Sequence, residues 1–186
     1  MKIYTKKGDQ GSTSLYRGGA TSKASYRIAA IGDVDELNCQ IGLIVTLVDD
    51  KQTTKVLQQI QNDLFDIGAD LATVTEKNDE KYNTGSLNPG SETFLEKEID
   101  IMDAKLDPLT NFILPGGSAS ATTAHLARAV CRRAERAVVN LAGMEYVNPA
   151  VIIYLNRLSD FLFMLARFQN KIERVDEVLR KSFNAS

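Results

Sequence analysis

The sequence predicts an all-α fold, a bundle of five helices, on three observations. Five segments repeat apolar residues in steps of three and four, turn signals separate them, and no comparable run alternates with the period of two that a strand needs. Steps of three and four hold one apolar stripe on one side of a helix, and each stripe must be buried against neighbours. Sustained stripes favour antiparallel helices crossing at shallow angles.

The first segment carries Val34, Leu37, Ile41, Ile44 and Val48, and the second Leu57, Ile60, Leu64, Ile67, Leu71 and Val74. Asn83-Thr84-Gly85 and Asn88-Pro89-Gly90 then mark a polar connection. A shorter third segment has Leu95, Ile99, Met102 and Leu106, and Asp107-Pro108 and Pro115-Gly116-Gly117 bracket the next break. The fourth carries the small-residue stripe Ala124, Ala127, Cys131, Ala134, Val138 and Leu141. Asn148-Pro149 reads as an N-cap with proline at the first helical position, opening the fifth segment of Val151, Leu155, Leu158, Leu162 and Leu165. The expected organisation is one domain over 1–186: an arm (1–23), the bundle (24–170) and a charged tail (171–186) forming a short helix that frays.

A chain of 186 residues buries a core without cross-links, and 44% hydrophobic with 25% charged residues is ordinary for a globular protein. A net charge of −2 provides no global field for nucleic acid or an anionic membrane. The first residues lack an apolar signal region, and no apolar run approaches the ~20 residues that span a bilayer. Cys39 and Cys131 fall inside helical patterns and read as reduced core or near-core thiols, so a cytoplasmic protein is expected.

The chemistry-bearing residues lie in three places. The arm, Thr5-Lys6-Lys7-Gly8-Asp9-Gln10-Gly11-Ser12-Thr13-Ser14, combines glycines, lysines and hydroxyls. It reads either as a phosphate cradle or as a flexible surface arm, and it is not a Walker A loop. On the fourth helix, at ~100° per residue, Arg128, Arg132 and Arg136 share a face with His125 and Glu135, away from the small-residue stripe. That face is either solvated, with Glu135 as local partner, or a polyphosphate clamp. Arg133 points elsewhere, as a structural ion-pair partner. Asp33, Asp35 and Glu36 begin the first segment, where a helix dipole favours them, unless the bundle pairs Asp35 with Arg128. The run Asn156-Arg157-Leu158-Ser159-Asp160 is unusually polar for its helix and suggests a site or a subunit seam. One histidine in the chain argues against di-iron, zinc and triad chemistry.

Five motifs resemble one family, the propanediol-utilisation type of ATP:cob(I)alamin adenosyltransferase, from residue 2 to about residue 170. They are Ile3-Tyr4-Thr5-Lys6-Lys7-Gly8-Asp9-Gln10-Gly11, Val34-Asp35-Glu36-Leu37-Asn38, Phe112-Ile113-Leu114-Pro115-Gly116-Gly117, Cys131-Arg132-Arg133-Ala134-Glu135-Arg136 and Asn156-Arg157-Leu158-Ser159-Asp160. The resemblance implies a ferritin-like up-and-down bundle assembled as a homotrimer, with sites at subunit interfaces. It implies ATP binding by Thr5, Lys6, Lys7, Gly8, Thr13, Ser14, Lys23, Arg132, Glu135, Arg136 and Asn156. Catalytic roles fall to Arg132, Arg128 and Asp35. Asp35 and Arg128, the family's intersubunit pair, also bind the corrinoid with Phe112, whose ring closes the lower axial face.

The implied reaction joins the adenosyl group of ATP to cobalt(I) of a reduced cobalamin, with triphosphate leaving. Mg²⁺ is expected on the ATP phosphates and not on protein ligands. A reductase and an adenosylcobalamin-dependent client enzyme are the implied macromolecular partners, with no nucleic acid and no membrane. Two rival readings are an adenosylcobalamin carrier without turnover and a purely structural bundle; triphosphate release and stabilisation by MgATP discriminate them.

Overall fold

The computed structural model describes residues 4, 6–16, 19–74, 87–88 and 90–181. Five helices form, as the spacing predicts: α1 (Tyr26–Val45), α2 (Lys51–Leu71), α3 (Ser91–Asp103), α4 (Ala119–Ala142) and α5 (Pro149–Glu173). Their principal packing runs α2–α1–α4–α5–α3. The stripes converge in one core, in which Leu37, Ile41, Leu57, Ile60, Leu64, Leu95, Leu155 and Leu158 are fully or almost fully buried. Alanines 121, 124, 127 and 134 line the buried side of α4 and let it sit between α1 and α5.

The arm contains a structure the periodicity did not reveal. Strands β1 (Ser12–Leu15) and β2 (Gly19–Ser22) pair antiparallel, Ser12 opposite Ser22 and Leu15 opposite Gly19. Neither strand has a buried residue, so no alternation of apolar and polar residues marks it in the sequence.

Helix α1 starts eight residues before Val34, with Ser25 as N-cap accepting from the Ile28 N–H at 3.3 Å. Its first turns were hidden because a buried arginine occupies a core position. Arg27 donates to the Leu71 carbonyl at 2.6 Å and to Glu145 at 2.9 and 2.7 Å. Asp33, Asp35 and Glu36 therefore lie in mid-helix, and the dipole explanation fails. Asp33 and Glu36 instead hold Arg133 of α4, which has the structural role expected of it.

The cap of α5 is the one the sequence predicts, and α2 has one that the sequence reading did not name. The Asp50 carboxylate accepts from the Thr53 N–H and hydroxyl, each at 2.7 Å, and these bonds lower its pKa. Asn148 caps α5 ahead of Pro149. Although no spanning run was expected, α5 is long and apolar enough to cross a membrane by length and composition. Thirteen of its residues are buried, and its packing on α4 and α3 accounts for that character as a core helix. Beyond Glu173 the expected extra helix is replaced by a reversal, with Arg174 at φ 57°, and an extended tail pairing Leu179 with Ile113.

Cys131 is buried, its thiol donating to the Leu155 carbonyl at 3.2 Å, and burial raises its pKa far out of the thiolate range. Cys39 is exposed, contrary to the core or near-core reading, because it points off the buried Leu37–Ile41 line.

A carboxylate lies in the core. Asp63, 1% exposed, accepts from the Tyr154 hydroxyl and the Gln59 amide, both at 2.9 Å. Desolvation nevertheless raises its pKa above 3.8. A raised native pKa gives stability that is complete below the unfolded value and is lost as pH rises through the native value. In Asp63→Asn the amide keeps the size and one acceptor oxygen, its NH2 facing the other partner, but not the titration. Urea unfolding is expected to show the wild-type-minus-variant stability difference moving against wild type as pH rises above the ordinary carboxylate range. A flat difference would remove Asp63 as the titrating group.

Candidate functional site

Helix α4 presents Arg132, Glu135, Arg136, Val139 and Asn140 on one side, lining an open pocket of about 330 Å³. One helix contributes all five residues. Arg132 and Arg136 are exposed, and neither has an ion-pair partner among the described residues. Two uncompensated guanidinium groups one turn apart repel each other and favour an anion between them. Glu135 is drawn aside by the Asn156 amide of α5, which donates to its Oε1 at 3.2 Å. Arg132, Glu135, Arg136 and Asn156 are therefore brought together as expected. Asn140 was not anticipated, although it continues the four-residue step from Arg132 through Arg136.

Arg157 and Ser159, beside Asn156, do not share that face. Arg157 bonds Glu96 of α3 at 2.9 Å and Asp160 at 3.4 Å, and Ser159 is buried, bonding back to the Asn156 carbonyl. Their polarity ties α5 to α3 and to itself.

At the other end of α4 the predicted arginine face divides. His125 is 4% exposed, its ring tilted against Phe163 at 6.0 Å, and neither ring nitrogen has a partner. Burial first, and then the charge of Arg128, lower its pKa. His125 thus leaves the solvated face to which helical spacing assigned it, because α5 covers this end. Arg128 is half-buried with an unpartnered Nε. Asp35 is exposed on α1, and no ion pair joins the two within the chain.

In the arm, Lys6 at φ 60° and Gly11 at φ 79° turn the backbone ahead of the hairpin. The Gly11 carbonyl accepts from the Lys23 N–H at 2.8 Å. A Cβ on Gly8 would meet Lys23 Nζ at 3.0 Å, so Lys23 lies directly over the glycine turn. Lys6, Lys7 and Gly8 share that turn, with Thr13 and Ser14 on β1. Thr5 lies outside the described residues.

Phe112 stands in the α3–α4 connection with its ring 78% exposed. Its carbonyl accepts from the Arg180 N–H at 2.7 Å, and the Leu114 N–H donates to the Val178 carbonyl at 2.8 Å. Beyond it, Gly117 takes φ 113° against Asn170, whose amide bonds the Gly116 carbonyl and the Ser118 N–H. A Cβ on Gly117 would fall inside that amide. Gly117→Ala is expected to cost about 2 kcal/mol or more, from the left-handed backbone and the displaced Asn170; urea unfolding measures it, and an unchanged midpoint would show that the loop relaxes freely.

A larger, apolar pocket of about 380 Å³ lies between α2, α3 and α5, walled by Val56, Met102, Phe161 and Leu165. None of the candidate ATP-binding, catalytic or corrinoid-binding residues lines it. Among the described residues no three His, Cys, Asp or Glu side chains cluster as a metal site.

The family model for cobalamin adenosyltransferase matches residues 3–169. A corrinoid adenosyltransferase of Bacillus subtilis (strain 168) is 45% identical over 182 residues, covering 96% of this chain and 91% of its own. The human corrinoid adenosyltransferase MMAB is 45% identical over 172 residues, covering 90% and 68%. An F112A variant of a PduO-type ATP:corrinoid adenosyltransferase from Lactobacillus reuteri, solved with cobalamin and ATP, superposes with a TM-score of 0.90 at 37% identity, covering 97% of this chain and 100% of its own. An R132K variant from the same organism, solved with ATP, gives a TM-score of 0.86 at 37% identity, covering 96% and 100%. With the match running from the arm through α5, the chain belongs to the cobalamin adenosyltransferase family.

Proposed function

We propose that the chain transfers the 5′-deoxyadenosyl group of ATP to the cobalt(I) of a reduced corrinoid, giving adenosylcobalamin and inorganic triphosphate. The observation that carries this reading is the pair of uncompensated guanidinium groups at the Arg132–Arg136 pocket, in a chain of this family. Cobalt(I) is itself the nucleophile and attacks the 5′ carbon, with the C–O bond breaking toward the triphosphate. The protein's work is positioning and charge stabilisation. Arg132 and Arg136 meet the leaving triphosphate, and Lys6, Lys7, Lys23 and the turned amides around Gly8 wrap it, with Thr5, Thr13 and Ser14 as hydroxyl donors. Glu135 and Asn156 orient the nucleotide. Mg²⁺ enters on the ATP phosphates, and Glu135 is the lining carboxylate suited to hold its hydration shell.

The whole chain acts as one adenosyltransferase domain, and three copies assemble with sites between subunits. A pocket walled by one face of one helix supports this, since a second surface is needed to exclude water. Asp35 and Arg128, without an ion-pair partner among the described residues, then meet across the seam and hold the corrinoid. Asp35→Asn is expected to weaken trimer formation or corrinoid binding, and a double-mutant cycle with Arg128→Ala to return coupling of about 1 kcal/mol or more. Zero coupling would separate the two residues. The cytoplasm, with a reductase supplying the electron and a client taking the product, completes the setting.

An anaerobic assay with MgATP and chemically reduced cobalamin tests the reaction, following loss of the cobalt(I) absorbance and release of triphosphate. ATP-dependent turnover is expected. Binding of both ligands without turnover would assign the chain to carriage of the cofactor instead.

A further inference from the structure

The exposed ring of Phe112 cannot be held by its own packing, so its position depends on its backbone. That backbone is strapped by the tail through the Phe112–Arg180 and Leu114–Val178 hydrogen bonds. The tail is anchored in turn by a buried side chain of α5. Arg167, 5% exposed, donates from Nε to Glu177 Oε1 at 3.0 Å and from Nη2 to the Asp107 carbonyl at 2.9 Å. A single guanidinium therefore grips both strands, the loop five residues before Phe112 and the tail one residue before Val178. A buried ion pair gives little net stability over an apolar substitute, so its geometric role is the informative one.

We propose that the Arg167–Glu177 pair is a positioning device for Phe112, fixing the tail so that the ring is presented to the lower face of the corrin. The proposal rests on the reading that Phe112 closes that face. Neither residue lines the Arg132–Arg136 pocket, so loss of the pair acts through Phe112 and spares the nucleotide pocket.

The test uses the full chain with cobalt(II) cobalamin and MgATP under anaerobic conditions, reading the four-coordinate cobalt(II) band, ATP affinity and kcat against KM. Glu177→Ala alters the tail outside the helices and decides the matter if Arg167→Ala fails to fold. Glu177→Ala is expected to lower the four-coordinate fraction and kcat by about tenfold or more, ATP affinity being unchanged. Glu177→Gln, which keeps an acceptor, restores part of both. In a Phe112→Ala background Glu177→Ala is expected to cause no further loss, since both changes act on one element. A normal band in Glu177→Ala alongside a lost band in Phe112→Ala would overturn the positioning role and leave the Phe112 reading intact. A normal band in Phe112→Ala would overturn both.

Discussion

Arg132→Ala is expected to reduce turnover by about 10²- to 10³-fold with little change in corrinoid affinity. The reason is where charge develops. As the cobalt–carbon bond forms, the oxygen released from the 5′ carbon gains negative charge. A guanidinium fixed on a rigid helix stabilises that charge without having to reorganise. Arg132 is suited to this because it has no carboxylate partner among the described residues, whereas its neighbour Arg133 is held by Asp33 and Glu36. Arg132→Lys keeps the charge and loses the planar fork, so it should fall between wild type and alanine. Steady-state kinetics of triphosphate release measure both variants. Unchanged turnover in Arg132→Ala would remove it from the site.

Phe112→Ala is expected to bind MgATP normally yet fail to accumulate four-coordinate cobalt(II). Reduction to cobalt(I) is easier once the lower ligand is gone, and an apolar ring against that face keeps the ligand and water away. A methyl group cannot cover it. Since Phe112 is 78% exposed, little fold stability rides on the ring, and the variant should unfold at nearly the same urea concentration as wild type. Absorption spectra of the cobalt(II) complex decide the matter: an undiminished four-coordinate band would end the assignment.

Much of this architecture was legible because stripes in steps of three and four are a direct print of helix packing. Val34, Leu37, Ile41 and Ile44 were read as one face and are buried together. Legibility failed where polar atoms do the work of apolar ones. Arg27 fills a core position and hid the first turns of α1, while Asp63 and Tyr154 satisfy one another across α2 and α5. The hairpin escaped notice because neither strand buries a residue. At the site, spacing alone placed Arg132 and Arg136 side by side, yet it put His125 with them, since a helical wheel does not record which end of a helix its neighbours cover. The contacts behind Phe112 were least accessible, because backbone bonds between residues 64 and 68 apart leave no trace in side-chain periodicity.

That last pairing also orders the events of synthesis. The bundle's stripes are complete once α5 has left the ribosome, whereas the segment around Phe112 waits for Val178 and Arg180 to emerge. A message cut short just after α5 would therefore yield a folded helical protein that still takes up MgATP but presents its aromatic ring loosely. Such a product would pass an inspection of nucleotide binding, and its functional defect would show only when cobalt is offered.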